Sequence, residues 1–572
     1  VSAGAPPMAR DTAALTGRTF DLVVVGGGIF GACVAWDAAH RGLSVALVER
    51  GDFGGGTSAH SFKMVHGGIR YLQHLDLPRV RHSCAERTAL LAIAPHLVIP
   101  LPILVPTYGR GLKGKAFLGA GVRLYDLVTW DRNRGVDDPA RRIPPGRFLS
   151  RDQVLAEFPD LNADGLTGAA AFHDGQMVNP PRLVLAFLRS AVGAGAVAAN
   201  YVEATGFLRE GDRITGIRAV DALKGGEVEV RGRIVVNAAG PWAEPLLASR
   251  LGTALKPPGT YSRDACFVVR RRFPGPFALA LPGTTRDPDA VFSRSARHMF
   301  LVPWREFTLV GVWHVVHEAG PDDFTVTDAE LESFIAEINH IYPVLKLTLD
   351  DVCRWDAGLV PFGENAPGAK DLSYGKRSRL IDHGAEDGLE GLISLIGIRY
   401  TMGRGEAARA VDLAARKLGR NPPPIPVGSV PVHGGDLTDF EGFVAEAARR
   451  HAGLMDVDTV RALAQNHGTG LDAVAALAGE RPEWAAPIPG SRVLGAEVVH
   501  AARSEMAVRL ADVVLRRTDL GPGADPGDAA IRACARLMAP ERGWDEATTE
   551  AEVADVRADL AAHRPRGPVA AG

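Results

Sequence analysis

The stretch Phe20-Asp21-Leu22-Val23-Val24-Val25-Gly26-Gly27-Gly28-Ile29-Phe30-Gly31 decides the fold. Leu22 to Val25 is wholly apolar, as a parallel strand buried on both faces must be. Three glycines follow at once, and Ala32 to Arg41 reads as a helix ended by Gly42. Leu43 to Val48 is a second strand, closed by Glu49. This is a strand–turn–helix–strand unit of about 30 residues, the context of a dinucleotide fingerprint. Gly26 suits the tight turn, Gly28 close approach of a pyrophosphate, and Gly31 close packing of helix on strand. The helix N-terminus then offers N–H groups and a positive dipole end to phosphate. Glu49 stands where a carboxylate accepts ribose hydroxyls, and it would repel a 2′-phosphate. Ile29, Phe30, Arg50 and Val202 are expected beside the same ligand.

NAD and FAD share this fingerprint, so the choice falls to later segments. A fingerprint near the start of a 572-residue chain is the usual flavoprotein layout. Val235 to Gly240 ends a strand on small residues, which lets backbone approach a pyrophosphate; Ala239, Gly240 and Trp242 are expected at the cofactor. Gly397-Ile398-Arg399-Tyr400-Thr401 precedes a helix and makes a second candidate cradle. Helices are also expected at Pro78 to Ala94, Arg182 to Val192, Thr327 to Ile341 (capped by Asp328) and Gly403 to Leu418. Gly211-Asp212 and Gly225-Gly226 read as hairpin turns, and residues 255 to 365 as strand-rich. Asn421 to Pro426 reads as a linker, and Phe440 to Leu560 has helical periodicity throughout.

The composition sets outer bounds. Hydrophobic residues make up 46%, enough for a large core. The formal charge of −3 argues against nucleic acid as a partner. Only nine of the 64 basic residues are lysine, which reads as a compositional bias. Cys33, Cys84, Cys266, Cys353 and Cys534 show no CxxC spacing, so no disulfide framework and no metal site are expected. The opening residues lack the apolar run of a secretory signal, and no segment reaches the roughly 18 apolar residues of a spanning helix. A cytoplasmic setting is the expectation.

Three further stretches carry a family resemblance: Thr57-Ser58-Ala59-His60-Ser61-Phe62-Lys63, His66-Gly67-Gly68-Ile69-Arg70-Tyr71-Leu72, and Asn237-Ala238-Ala239-Gly240-Pro241-Trp242. With the glycine fingerprint, Val302-Pro303-Trp304 and Arg503-Ser504-Glu505-Met506 followed by Arg516-Arg517-Thr518, they resemble the FAD-dependent glycerol-3-phosphate dehydrogenases and oxidases. These belong to the D-amino-acid-oxidase-like superfamily. The resemblance covers about residues 20 to 560. It implies an α/β fold: a Rossmann-like FAD-binding domain interleaved with an antiparallel-sheet substrate domain, then an all-helical domain. The boundaries expected are 18–430 for the interleaved pair, with the substrate part mainly 80–180 and 255–365, and 431–562 for the helices.

The resemblance further implies noncovalent FAD, a secondary alcohol oxidised to a ketone by hydride transfer to flavin N5, and quinone or oxygen as electron acceptor. Thr57, Ser58, Ser61, Lys63, His66, Gly67 and Gly68 match the family's flavin loop, and Arg70 and Tyr71 its pocket. Four segments depart from the pattern: Asp264-Ala265-Cys266 for a Ser-His pair, Gly311-Val312-Trp313-His314 for Gly-Thr-Thr-Asp, Gly358-Leu359-Val360-Pro361 for Gly-Val-Arg-Pro, and Gly397 to Thr401 for Gly-Gly-Lys-Leu-Thr-Thr. Redox chemistry is therefore expected to persist with altered recognition of the alcohol, which need not be phosphorylated. Candidate catalytic residues are His66, Arg70, Tyr71, His314 and Arg399, with Trp313 either narrowing the pocket or belonging to the core. An amine substrate, and a flavoprotein that has lost catalysis, are the rival readings. The basic stretch Arg110, Lys113, Lys115 and Arg123 reads as a solvated loop or a peripheral contact with the inner face of the membrane, and a homodimer stays open. His173-Asp174-Gly175 reads as a turn without chemistry, and the C-terminal helices as carrying no site.

Overall fold

The computed structural model describes residues 7–109, 115–251, 261–271, 273, 275–286, 296–361 and 378–566. Among these, the strands form two sheets, of eight and nine strands. The first is the nucleotide-binding sheet. Strand β1, Thr19–Val25, lies at its centre, between Glu227–Asn237 and β2, Val45–Val48, all parallel. Leu392–Ile396 extends it beyond Glu227–Asn237, and Val197–Ala199 beyond β2. Helix α1, Ile29–His40, is buried almost all round, because the helices Pro180–Gly193 and Gly403–Lys417 pack on it. Its small residues admit those neighbours; Trp36, fully buried, meets Phe187 edge-on.

The second sheet holds Val352–Pro361, Tyr261–Arg270, Phe307–His317, Ala296–Trp304, Ala278–Arg286, Val98–Tyr108, Leu166–Met177 and Met64–Val65, in that order. Nearly all its pairings are antiparallel. Alternate residues of these strands face the cavity between the two sheets, and that alternation selects the site residues. Both hairpin turns fall where expected, at Gly211-Asp212 and Gly225-Gly226.

From Phe440 to Ala562 the chain is helical, with two apolar clusters built from this segment alone. One contains Phe440, Leu463 and Trp484; the other contains Val498, Leu510 and Met538. Buried ion pairs tie the segment to the first sheet's helices. Glu505 accepts from Arg182 at 2.7 Å and from Arg189 at 2.9 Å.

Several local expectations need correction. Thr327, not Asp328, caps the helix Asp328–Ile341: its hydroxyl accepts from Glu330 N, and Glu330 reaches back to Thr327 N. His173-Asp174-Gly175 is not a turn but lies within the strand Leu166–Met177. His314 stands inside the strand Phe307–His317. Residues 115–128 are an amphipathic helix, not a loop; Arg110 and Lys113 lie outside the described residues. All five cysteines are unpaired.

Candidate active site

A continuous cavity of about 900 Å³ lies between the two sheets. That is near the upper end of the roughly 300–1,000 Å³ typical of small-molecule sites. At one end its floor is backbone. Gly26 has φ +104°, and a Cβ there would lie 2.7 Å from Ala238 O. A Cβ on Gly31 would lie 1.9 Å from Gly26 O, so neither position tolerates a side chain. Gly28, Ile29 and Phe30 open the α1 N-terminus into the cavity. Ser58 accepts from Ile29 N at 3.0 Å, which binds the 57–63 loop to the fingerprint. Gly397 is equally constrained, since a Cβ would stand 2.0 Å from the Phe30 ring.

Glu49 lines the cavity at the end of β2, but its carboxylate accepts from Gly27 N at 2.6 Å and Gly51 N at 2.9 Å. Burial pushes its carboxyl up, against those two bonds. It therefore shapes the glycine turn as well as presenting a carboxylate. Val202, Ala239, Gly240, Thr57, Ser61, Tyr400 and Thr401 also line the cavity. Thr401 Oγ1 accepts from His66 N at 3.0 Å. At the rim the Arg50 guanidinium lies 4.4 Å from the Trp242 ring centroid, and both side chains bond Asp322.

Three loop residues expected at the cofactor, Lys63, Gly67 and Gly68, are not among those lining the cavity. Lys63 is buried with its ammonium 2.7 Å from Asp356 and 4.9 Å from the Trp304 ring centroid. Gly67 is packed: a Cβ would meet Arg87 and Tyr125 at 2.1 Å. Gly68 turns the chain at φ +81°. These residues hold the loop rather than line the cavity. Arg70 sits on the short helix Ile69–His74, and its side chain lies outside the described residues.

The cavity wall formed by the second sheet presents side chains. Asp264 and His314 are directly opposed on neighbouring antiparallel strands. His314 Nδ1 stands 2.7 Å from Asp264 Oδ1, and Ser262 Oγ donates to the same oxygen at 2.6 Å. Both members of the pair line the cavity, with Val312 and Val360 beside them. Trp313 points the other way, with its ring centroid 4.4 Å from that of Phe334, so it belongs to the core and does not narrow the pocket. Arg399 lines the cavity and donates to Tyr71 Oη at 2.7 Å. Tyr71 thus acts behind Arg399, and Arg79 covers its ring at 4.2 Å. The His66 side chain is half exposed, with Nδ1 4.0 Å from Asp174.

Several residues at the site escape sequence reasoning. Asp264 drew notice only as a departure from the family, and its partnership with His314 depends on strand register. Asp174 is buried and accepts from Gly67 N at 2.6 Å and from Arg87 at 2.8 Å, so it positions the His66-Gly67-Gly68 turn. His60 lines the cavity and bonds Asp356 at 3.1 Å. Arg516, from the C-terminal helices, also lines the cavity, against the expectation of no site there. His60 and Arg516 fall within stretches that resemble the family, but the role of each of these residues comes from contacts between distant segments.

A family model described as FAD dependent oxidoreductase matches residues 21–398, and one described as the C-terminal domain of alpha-glycerophosphate oxidase matches residues 427–549. The chain belongs to the FAD-dependent oxidoreductases that include the glycerol-3-phosphate dehydrogenases. It is 32% identical to the glycerol-3-phosphate dehydrogenase of Synechocystis sp., over 95% of this chain and 97% of that one. It is 31% identical to glycerol-3-phosphate dehydrogenase 2 of Mycobacterium tuberculosis, over 95% and 88%. The solved structure of glycerol-3-phosphate dehydrogenase from Bacillus halodurans complexed with FAD superposes with TM-score 0.75, at 26% identity and 98% coverage of both chains. FAD is the cofactor of this family. The bare glycines, the open helix N-terminus and the long cavity fit a dinucleotide of that size.

Proposed function

We propose that this flavoenzyme oxidises the secondary alcohol of a small polyol, or of its phosphate ester, to the ketone. FAD, when bound, supplies the hydride acceptor. The single observation that carries the reading is the Asp264–His314 pair in the cavity wall formed by the antiparallel sheet. With Asp264 ionised, the imidazole proton sits on Nδ1 and Nε2 is the basic nitrogen. His314 then takes the hydroxyl proton as hydride leaves the carbinol carbon, and Asp264 stabilises the imidazolium that results. Arg399, oriented by Tyr71, holds an oxygen or anionic group of the substrate.

A second reading is favoured by Asp264 itself. A carboxylate at the substrate end repels a phosphate dianion, and Val360 offers no compensating charge. On this reading the substrate is an unphosphorylated polyol or sugar-like alcohol. The experiment is anaerobic flavin bleaching with glycerol 3-phosphate, unphosphorylated polyols and amines. Rapid bleaching by glycerol 3-phosphate at micromolar concentration supports the first reading and removes the second. Bleaching by an amine, with ammonia released, would refute alcohol oxidation outright.

The same reading divides the chain near residue 430 and places the alcohol on the antiparallel sheet. It also includes a peripheral contact with an anionic membrane surface, from which a quinone could accept electrons. Leu124, Leu127 and Trp130 are exposed on and just after the amphipathic helix Lys115–Val128, alongside Arg123. Leu75 and Leu77 are exposed next to the short helix that packs against it. Exposed apolar groups beside basic ones suit a lipid surface. Among the described residues no helix is long and apolar enough to cross a membrane. Vesicles containing anionic lipid should co-sediment the wild-type protein, and Leu127→Glu with Trp130→Glu should reduce this several-fold. Equal sedimentation of the two removes the contact.

A further inference from the structure

We propose that the C-terminal helices complete the cofactor site, with Arg516 binding the adenosine-diphosphate half of FAD. The carrying observation is that Arg516 lines the same cavity as the glycine fingerprint, although some 490 positions separate them in the chain. It stands against Gly55, beyond the end of β2, where Glu49, Tyr201 and Val202 also face the cavity. That is the end at which a Rossmann unit holds the adenosine and its phosphates. Asp264 and His314 line the same cavity from the antiparallel sheet.

The bonding of Arg516 leaves it ready for a ligand. Nε donates to Asp52 at 2.6 Å, and Nη2 to Asp512 at 2.7 Å. Nη1 has no hydrogen-bond partner among the described residues. A guanidinium fixed through two nitrogens, with a third free, is preorganised for an oxygen anion or a ribose hydroxyl.

Its neighbour Arg517 makes the contrast. Both terminal nitrogens of Arg517 bond Asp52, at 2.6 and 2.7 Å, and Nε donates to Glu505 O. Arg517 is fully buried and wholly engaged in joining the helices to the β2 loop. Asp512 is in turn saturated: Tyr201 Oη donates to Oδ1 at 2.6 Å, and the N–H groups of Val508 and Arg509 donate to Oδ2. Two carboxylates and two guanidiniums thus form a neutral junction in which every carboxylate oxygen is hydrogen-bonded. One of its cations, Arg516, lines the cavity. The adjacent arginines divide the work, Arg517 docking the helices and Arg516 reaching the ligand.

By linkage, a ligand that binds Arg516 also holds the helices in place, and docked helices slow release of the ligand. The inference rests on FAD binding and is independent of which alcohol is oxidised.

The test is made on the full chain by measuring FAD affinity, from the fluorescence of flavin released on dilution. ADP is used as a competitor during reconstitution. Arg516→Gln should raise the FAD dissociation constant about 10-fold or more and weaken ADP competition in parallel, while circular dichroism of the flavin-free protein stays unchanged. Arg516→Lys keeps the charge beside Asp52 and Asp512 but loses the fork, and should still weaken FAD several-fold. It serves if the glutamine variant does not fold. Arg503→Ala, at the exposed Arg503–Glu541 pair of the same helices, should leave FAD affinity unchanged. FAD should also protect the 421–435 segment from proteolysis in the wild type more than in Arg516→Gln. FAD affinity within twofold of wild type in the lysine variant, or weakened FAD binding with unaltered ADP competition, overturns the proposal.

Discussion

On its fingerprint side the cavity is lined by peptide groups: the Gly26 turn, the α1 N-terminus and the Ala239-Gly240 bend. On the antiparallel-sheet side it is lined by side chains carried on three antiparallel strands and one loop: Asp264, His314, Val360 and Arg399. A surface of backbone is specified by the absence of side chains, and almost any substitution there is a collision. A surface of side chains is specified by which residues alternate inward, so it can change while the strands stay paired. The departures from the family pattern cluster on this second side, as that difference allows.

The sharpest test of the contrast is Gly31→Val. With a Cβ 1.9 Å from Gly26 O, the turn cannot close, and the protein should purify colourless, with FAD affinity reduced at least 100-fold. A yellow variant with normal affinity would break the backbone half of the comparison. The matching test on the other side is His314→Asn. It should bind FAD normally but lose about 100-fold in single-turnover bleaching, within the usual range for general base catalysis. Asp264→Asn should fall in the same direction, because an amide can no longer hold the imidazolium. Wild-type bleaching in both variants would remove the pair from the chemistry.

A smaller effect separates both sides from the helix junction. Peptide contacts do not titrate in the working range, so mild acid should act first where histidines are buried. Burial, with Arg182 and Arg189 nearby, holds His500 down at about 4 and His433 at about 3, and His467 well below its ordinary value. Unfolded histidines take up protons below about 6.5, which these cannot do while folded. The unfolded state therefore binds more protons, and stability falls as pH drops from about 6.5 towards 4. Glu497 works in the opposite direction. Burial lifts its carboxyl to about 8, so its contribution is full below the ordinary glutamate value and is lost as pH rises through 8. The melting temperature should fall on acidification below 6.5. Glu497→Gln should raise it by a few degrees at pH 8 and leave it unchanged at pH 4. A flat profile from pH 7 to 4 would contradict the buried, neutral histidines.

Legibility followed the same division. Gly26, Gly28 and Gly31 were readable because a tight turn and a close approach impose local demands on the chain. Lys63 and Gly67 were assigned to the cofactor because they share a motif with residues that do line the cavity, yet the fold spends them on Asp356 and Arg87. His314 could be picked out as a candidate, but its partner could not. Asp264 lies 50 positions away, and only a specific register sets the two opposite.

The sequence by itself determined the architecture, the cofactor class and the place of the phosphate-binding turn. Strand burial, helix periodicity and glycine conformation all act within a few residues. The tertiary structure decided which side chains line the cavity, and that Arg516 lines it beside Glu49 and Val202. Those choices rest on strand register, inward alternation and the docking of one segment on another, which no short stretch of chain encodes.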